Sequence, residues 1–227
     1  FIQECHLRKN TKMQLNGYNF IYDNSPIGVA IILKNNISYT RININDIGFN
    51  GNFIKIECIA NGTRKRFLIG SIYIPCNYSA SSLFDGLSKI LDVASDFDGF
   101  VVGGDLNSKS QTWGDHADNA NGKVLENWLQ NHSLEVVRIC DNEPSYPNGS
   151  SFLDHFLLSP NLINIVHPNF KISTLPTFSA HFPIHLELQM DFSQLINPSF
   201  YLLQEHQLGS FSPWNWNCLT PYYAFWN

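Results

Sequence analysis

The run Phe100-Val101-Val102-Gly103-Gly104-Asp105-Leu106-Asn107 constrains this chain more than any other stretch. Three strand-forming apolar residues lead into a double glycine and then an Asp-x-Asn turn. A buried strand is therefore expected to end by presenting a carboxylate and an amide from one turn. Alternate residues at such an end point the same way, which suits a site handling phosphate and a metal. Taken alone, the pattern is more often an Asx-type turn closing a strand. What surrounds it changes the reading.

With 227 residues, 44% hydrophobic and 15% charged, the chain is long and apolar enough to bury a core as one α/β domain. A net charge of −5 excludes a polybasic binder that holds nucleic acid by a global field. Any grip on DNA must come from local cations and a metal. The cysteines Cys5, Cys58, Cys76, Cys140 and Cys218 form no CxxC pair and no zinc spacing, and read as reduced thiols of an intracellular protein. No basic-then-apolar leader opens the chain, and no apolar run approaches a membrane span. Five Asn-x-Ser/Thr triplets stand in an Asn- and Ser-rich chain where roughly three arise by chance, so they are not read as glycosylation sites.

Strands are expected at Gly28–Leu33, Phe53–Ile59, Phe67–Ile74, Phe100–Val102, Phe152–Leu158 and Ile184–Met190. Asn61-Gly62-Thr63-Arg64 reads as a hairpin tip into Phe67. A helix capped by Ser81 or Ser82 should run to about Ser95, with Leu83, Leu87, Ile90, Leu91 and Ala94 on its apolar face. Asn121 is expected to cap a second helix that buries Val124, Leu125, Trp128 and Leu129. Hairpin-like pairs mixed with helices predict mixed sheets rather than a regular βαβ repeat. Residues 1–192 read as the domain and 193–227 as a poorly specified extension rich in Trp and Pro.

Four further residues carry possible chemistry. Glu4 follows the apolar start Phe1-Ile2, and Tyr73 sits in Ser71-Ile72-Tyr73-Ile74-Pro75. Asp154 has apolar neighbours, and a carboxylate so placed wants a partner, for which histidine is natural. His181 precedes Phe182-Pro183-Ile184; with His185 it does not make a zinc-protease motif, because the Glu is absent and Pro183 opposes a helix.

In order, Gln3-Glu4, Tyr73 in SIYIPC, Asp105 and Asn107 in GGDLN, Asp154 in SFLDHFLLSP and His181 in SAHFPI resemble the endonuclease/exonuclease/phosphatase superfamily, the DNase I-like fold. The segment GDLNSKSQTWGDHADNANGKVLENWLQNHSLEVV, with Trp113-Gly114, Asn121-Gly122-Lys123 and Pro144-Ser145-Tyr146, is similar to the apurinic/apyrimidinic-type endonuclease domain of non-LTR retrotransposons. The resemblance covers about residues 1–190. It implies an α/β (α+β) four-layer sandwich of two packed mixed β-sheets flanked by helices.

The resemblance also implies roles. Glu4 would ligate Mg²⁺, for which Mn²⁺ can substitute, and the cation would neutralise the scissile phosphate and stabilise the leaving 3′ oxygen. Asp105 would position or deprotonate the attacking water. Asn107 and Tyr73 would hold phosphate oxygens, and Asp154 would orient His181 toward charge developing there. Ser145, Ser151 and Ser179 match small hydroxyl positions and are expected to contact phosphate or support those that do. Their alternative reading is as ordinary turn and strand-end serines. The partners implied are double-stranded DNA and the reverse transcriptase region of the same polyprotein, with no membrane. The location implied is intracellular, and nuclear when chromosomal DNA is cut. Specificity would lie in loops such as Lys109 to Asn121.

Two departures from the family pattern are legible. The family has Ser-Asp-His where this chain has Ser179-Ala180-His181, and the chain opens at the Glu motif without the family's preceding strand and its Asn. Losing such groups costs on the order of 10²-fold or more in activity. A catalytically impaired relic that keeps the fold and weak DNA binding is accordingly the first alternative to a target-nicking endonuclease. The second is a phosphomonoesterase of the same superfamily. The cluster Arg64-Lys65-Arg66 that might serve it lies on a hairpin tip rather than beside the motifs.

Overall fold

Alternation of side chains along the strands sorts this molecule into two sheets with an apolar seam between them. The structure, a computed structural model, describes residues 1–4, 15–22, 28–60, 62–76, 78–139, 143–165, 171–172, 180–188 and 220–221. The first sheet is built from β1 (Ile2–Gln3), β2 (Tyr18–Tyr22), β3 (Val29–Lys34) and β12 (Thr220–Pro221), all antiparallel, in the order β12-β1-β3-β2. The second holds β4 (Tyr39–Ile42), β5 (Asn50–Ala60), β6 (Thr63–Tyr73), β7 (Gly99–Asp105), β8 (Val137–Ile139) and β9 (Asp154–Leu158). Its order is β4-β5-β6-β7-β9-β8, and it is mixed because β6 and β7 run parallel. A short ladder pairs β10 (Lys171–Ile172) with β11 (Ile184–His185).

Ile21, Ile31 and Leu33 of the first sheet meet Ile54, Ile69, Val101, Phe156 and Leu158 of the second. On the far face of the second sheet, Leu68, Ile72, Val102 and Leu157 pack under α1 (Ala80–Ala94) and α2 (Ala120–Asn131). α1 buries Leu83, Leu87, Ile90, Leu91 and Ala94, the face its periodicity predicts. α2 buries Leu125 and Trp128, with Val124 and Leu129 partly covered.

Several boundaries differ from those read in the sequence. α1 starts at Ala80 after Ser79, which makes no side-chain cap, so neither Ser81 nor Ser82 caps it. The cap of α2 is Asn119, whose side chain accepts from Gly122 N, and Asn121 is the second residue of the helix and is buried. β9 begins at Asp154 rather than Phe152, because the preceding amides are taken by side chains: Phe152 N donates to Asp115 Oδ1 and Leu153 N to Ser145 Oγ. Of the expected strand Ile184–Met190, β11 takes in Ile184–His185, Leu186 and Leu188 are buried between the sheets, and Met190 lies outside the described residues. Within the expected extension 193–227, only Thr220–Pro221 fall among the described residues, and they pair with β1. β2, β4 and β8 are strands that the sequence reading passed over.

The β5–β6 hairpin turns between Ala60 and Thr63, as the Asn-Gly signal predicts, with Gly62 at φ +72°. No described helix is long and apolar enough to cross a membrane.

Candidate active site

Strand register alone brings three of the expected residues into a row. Tyr73 at the end of β6 stands opposite Asp105 at the end of β7, and Asp105 stands opposite Asp154 at the start of β9. Cross-strand partners share a face, so the phenol and both carboxylates rise from the face that packs toward the first sheet. Gly104 makes this possible: a Cβ there would lie 1.9 Å from the Ile72 carbonyl oxygen, so no other residue lets β7 lie this close to β6.

The turn after β7 closes on itself. Asn107, at φ +45°, donates from its backbone N to Asp105 Oδ1 at 2.9 Å and from Nδ2 to Asp105 Oδ2 at 3.2 Å. Nδ2 also donates to Ile74 O at 3.0 Å, and Oδ1 accepts from the Cys76 thiol at 3.0 Å. The Asx turn and the site are thus one object, since the amide that closes the turn aims both oxygens of the carboxylate.

His181 reaches the row from outside the sheet, its Nδ1 lying 2.8 Å from Asp154 Oδ2. The Asp154 side chain is fully buried, whereas 14% of the imidazole stays exposed. Nδ1 is thus the ring nitrogen given to Asp154, which fixes how the imidazole is oriented. The Tyr146 ring packs on His181 at 5.0 Å, and Phe182 N donates to Ser145 O at 2.7 Å, holding the His181 segment down. Ser145 Oγ accepts from Leu153 N and Asp154 N at 3.2 and 3.3 Å. Ser145 therefore supports Asp154. Ser151 is not brought to the cluster: its hydroxyl donates to Gly149 O inside the Tyr146–Ser151 turn. Ser179 lies outside the described residues, and Ala180 is exposed beside His181.

Glu4 follows β1 at φ +50° and is hydrogen-bonded by the Tyr73 phenol. Burial, that bond and the neighbouring negative charges push the phenol's pKa up. Burial also drives Asp105 well above the ordinary carboxylate range, and the charges of Asp154 and Glu4 add to it. Asp154 is raised by burial, against the pull of His181. Burial pushes the imidazole of His181 down, but the Asp154 hydrogen bond, with the charges of Asp154, Asp105 and Glu4, outweighs it and raises the group to about 9.

Three carboxylates and one imidazole thus crowd a buried corner, which is short of positive charge. Ligand atoms of Asp105, Asp154 and His181 lie within 4.8 Å of one another, a spacing open to a cation. Glu4, the expected metal ligand, is not one of those three and joins the cluster through Tyr73. Hard oxygen donors and unbalanced charge fit a divalent cation such as Mg²⁺. The Arg64-Lys65-Arg66 run lies at the far end of 11-residue β6, with Arg64 paired to Glu57 and Lys65 3.0 Å from Asp98.

A family model described as endonuclease-reverse transcriptase matches residues 67–185, just over half of the chain. The chain belongs to that family. The matched span takes in Tyr73, Asp105, Asn107, Asp154 and His181 but stops short of Glu4. Among solved structures, the endonuclease domain of TRAS1, a telomere-specific non-LTR retrotransposon, aligns with TM-score 0.58 and 15% identity, over 74% of this chain and 76% of that one. The Xenopus laevis APE2 catalytic domain aligns with TM-score 0.58 and 13% identity, over 75% of each. The 3′ phosphatase NExo from Neisseria, bound to a product DNA hairpin, aligns with TM-score 0.53 and 14% identity, over 81% and 86%. No curated protein matches the sequence. At these identities the structural likenesses show the fold, which is DNase I-like. This endonuclease-reverse transcriptase family member is a nuclease domain of the endonuclease/exonuclease/phosphatase type.

Sequence reading missed Cys76 and Asn119, which both bond Asn107. The only signal for Asn119 was a second Asn two residues before the one read as a cap. It also missed His155, buried on the opposite face of β9, where Nδ1 lies 3.1 Å from Arg138 and Nε2 3.2 Å from Ser108 O. Trp113 packs against both His155 and the Arg138 guanidinium, so this group ties the loop after β7 to the sheet edge.

Proposed function

We propose that this domain is a divalent-metal-dependent DNA endonuclease of a non-LTR retrotransposon, nicking one strand of target DNA to leave a 3′ hydroxyl that primes reverse transcription. The observation that carries the reading is the aligned row Tyr73–Asp105–Asp154 with His181 bonded to its end. In this reading the reverse transcriptase region of the same polyprotein uses the nick, and the nucleus is where chromosomal DNA is met.

Glu4 is the residue that would hold the cation, Mg²⁺ or Mn²⁺ in its place, beside Asp105. When bound, the cation supplies charge neutralisation at the scissile phosphate and at the leaving 3′ oxygen. The remaining chemistry belongs to the chain. Asp105, both oxygens fixed by Asn107, accepts a proton from water, whose oxygen attacks phosphorus. The bond from phosphorus to the 3′ oxygen breaks, and that oxygen takes a proton from solvent water, leaving 3′ hydroxyl and 5′ phosphate ends. His181, kept charged at neutral pH by Asp154, donates from Nε2 to the phosphoryl oxygens as their charge grows. Asp154 holds that imidazole in one orientation and tautomer. Tyr73 offers its phenol to a phosphate oxygen from beside Glu4, and Ser145 braces Asp154 from behind.

The test is cleavage of an end-labelled duplex with Mg²⁺, followed by extension of the nick by a polymerase without prior end repair. Direct extension supports the reading. Ends that need phosphate removal first contradict it. Release of inorganic phosphate from a 3′-phosphate end, with no internal cleavage, would move the domain to the phosphatase side of its superfamily.

A further inference from the structure

The amino end of α2 lies against the two chain segments that leave the active-site strands. Asn119 Oδ1 accepts from Gly122 N at 2.7 Å, which caps the helix, and from Lys109 N at 2.9 Å. Its Nδ2 donates to Asn107 O at 2.7 Å, and its backbone N donates to Lys109 O at 3.1 Å. One residue past Ala120, Asn121 is 1% exposed. Its Nδ2 donates to Pro75 O at 3.0 Å and, more weakly, to Leu106 O at 3.4 Å. Pro75 lies two residues beyond Tyr73, and Leu106 directly follows Asp105.

Asn121 Oδ1 is buried with no hydrogen-bond partner, so only the donor half of this amide is used. A buried polar group half satisfied is a poor choice for packing alone, where a leucine-sized side chain would serve. Two carbonyls facing one NH₂ group also fix which way the amide points. The close approach is built into the helix as well: a Cβ on Gly122 would lie 1.8 Å from Lys109 O. Behind these residues, Leu125 and Trp128 seat α2 in the core, so the helix is a firm reference for the loops.

We propose that Asn119 and Asn121 are positioning residues that clamp the ends of β6 and β7 into the arrangement in which Tyr73, Asp105 and Asn107 converge. The path is short. Asn121 fixes Pro75, next to Cys76, whose thiol bonds Asn107 Oδ1, while Asn119 holds the Asn107 carbonyl. Asn107 sits at φ +45°, a conformation that leans on such external bonds. Only the catalytic consequence rests on the function proposed above; the clamp itself can be read without any cleavage.

Cys76 supplies that readout. It is exposed, whereas Cys58 is buried, so iodoacetamide labelling at fixed pH followed by peptide mapping reports the loop and the fold in one sample. In Asn121→Leu, Cys76 should react about tenfold faster than in the wild type while Cys58 stays protected. Asn119→Ser keeps a capping oxygen but cannot reach Asn107 O, and should give the same result. In both variants kcat for nicking should fall at least tenfold with KM for DNA little changed, since small misplacements of reacting groups cost rate rather than binding. An unchanged Cys76 rate in both variants, with Cys58 protected, overturns the clamp. Loss of Cys58 protection in both also overturns it, making the residues supports of the whole fold. A wild type that cuts no DNA, with faster Cys76 labelling in the variants, refutes the functional reading and leaves the clamp standing.

Discussion

His181 Nδ1 and Asp154 Oδ2 lie 2.8 Å apart across a boundary between solvent and core, with the carboxylate fully buried and the imidazole partly exposed. The hydrogen bond and charge of the buried member raise the pKa of the partly exposed one to about 9.

That relationship predicts a coupled change in Asp154→Asn. The His181 titration, followed by NMR of its ring protons, should move from about 9 in the wild type toward or below the ordinary histidine value. Burial then acts against the charged form without the partner that overcame it. Nicking should fall by about 10² to 10⁴ in kcat. A titration unmoved by the substitution would separate the two residues.

Stability should respond to pH through two histidines of opposite sign. Burial, helped by the Arg138 charge, lowers His155 to about 3, so the unfolded chain binds the extra proton between that value and about 6.5. Its contribution is present above about 6.5 and is lost as pH falls toward 3. His181 is raised to about 9, so its contribution is full below about 6.5 and is lost as pH rises through 9. Urea midpoints in metal-free buffer should therefore decline on both flanks. His155→Gln should flatten the acid flank and His181→Gln the alkaline one.

Metal should stabilise the fold through the acidic corner. Adding Mg²⁺ should raise the wild-type melting temperature, by an amount equivalent to about 2.7 kcal/mol at a hundredfold excess over Kd. Glu4→Gln keeps an oxygen for the Tyr73 phenol but removes one of the charges that raise Asp105. It should melt no lower than wild type without metal and lose most of the Mg²⁺ effect. A Glu4→Gln protein that responds fully to Mg²⁺ would take Glu4 out of the metal site.

Gly104→Ala should cost about 3 kcal/mol in urea unfolding, because the new methyl would meet the Ile72 carbonyl, which is backbone and cannot turn aside. A loss under about 0.5 kcal/mol would show that β7 can move off β6.

Much of this geometry was legible before any coordinates. Phe100-Val101-Val102 announced a buried strand and the Asp-x-Asn turn its end, because both signals are local. The apolar faces of α1 and α2 followed from period, and Asn61-Gly62 marked the hairpin. What stayed hidden was long-range. Nothing near Cys76 says that its thiol meets Asn107, 31 residues away. Likewise Asn121 reads as a helix cap until Pro75, 46 residues away, is seen to receive its amide. β9 began late for the same reason, since Asp115 and Ser145 take its first amides from other loops. Ordered motifs brought Asp154 and His181 together in the reading through a family resemblance, whereas their spacing of 27 residues carries no such information by itself.

Relaxation of supercoiled plasmid by the wild-type chain in Mg²⁺, beside Asp105→Ala, tests the central claim most directly. The account predicts open-circular product from the wild type, none when EDTA replaces the metal, and a loss of at least 10² in rate for Asp105→Ala. A well-folded wild type that leaves the plasmid supercoiled, or nicking that persists in Asp105→Ala, would contradict it.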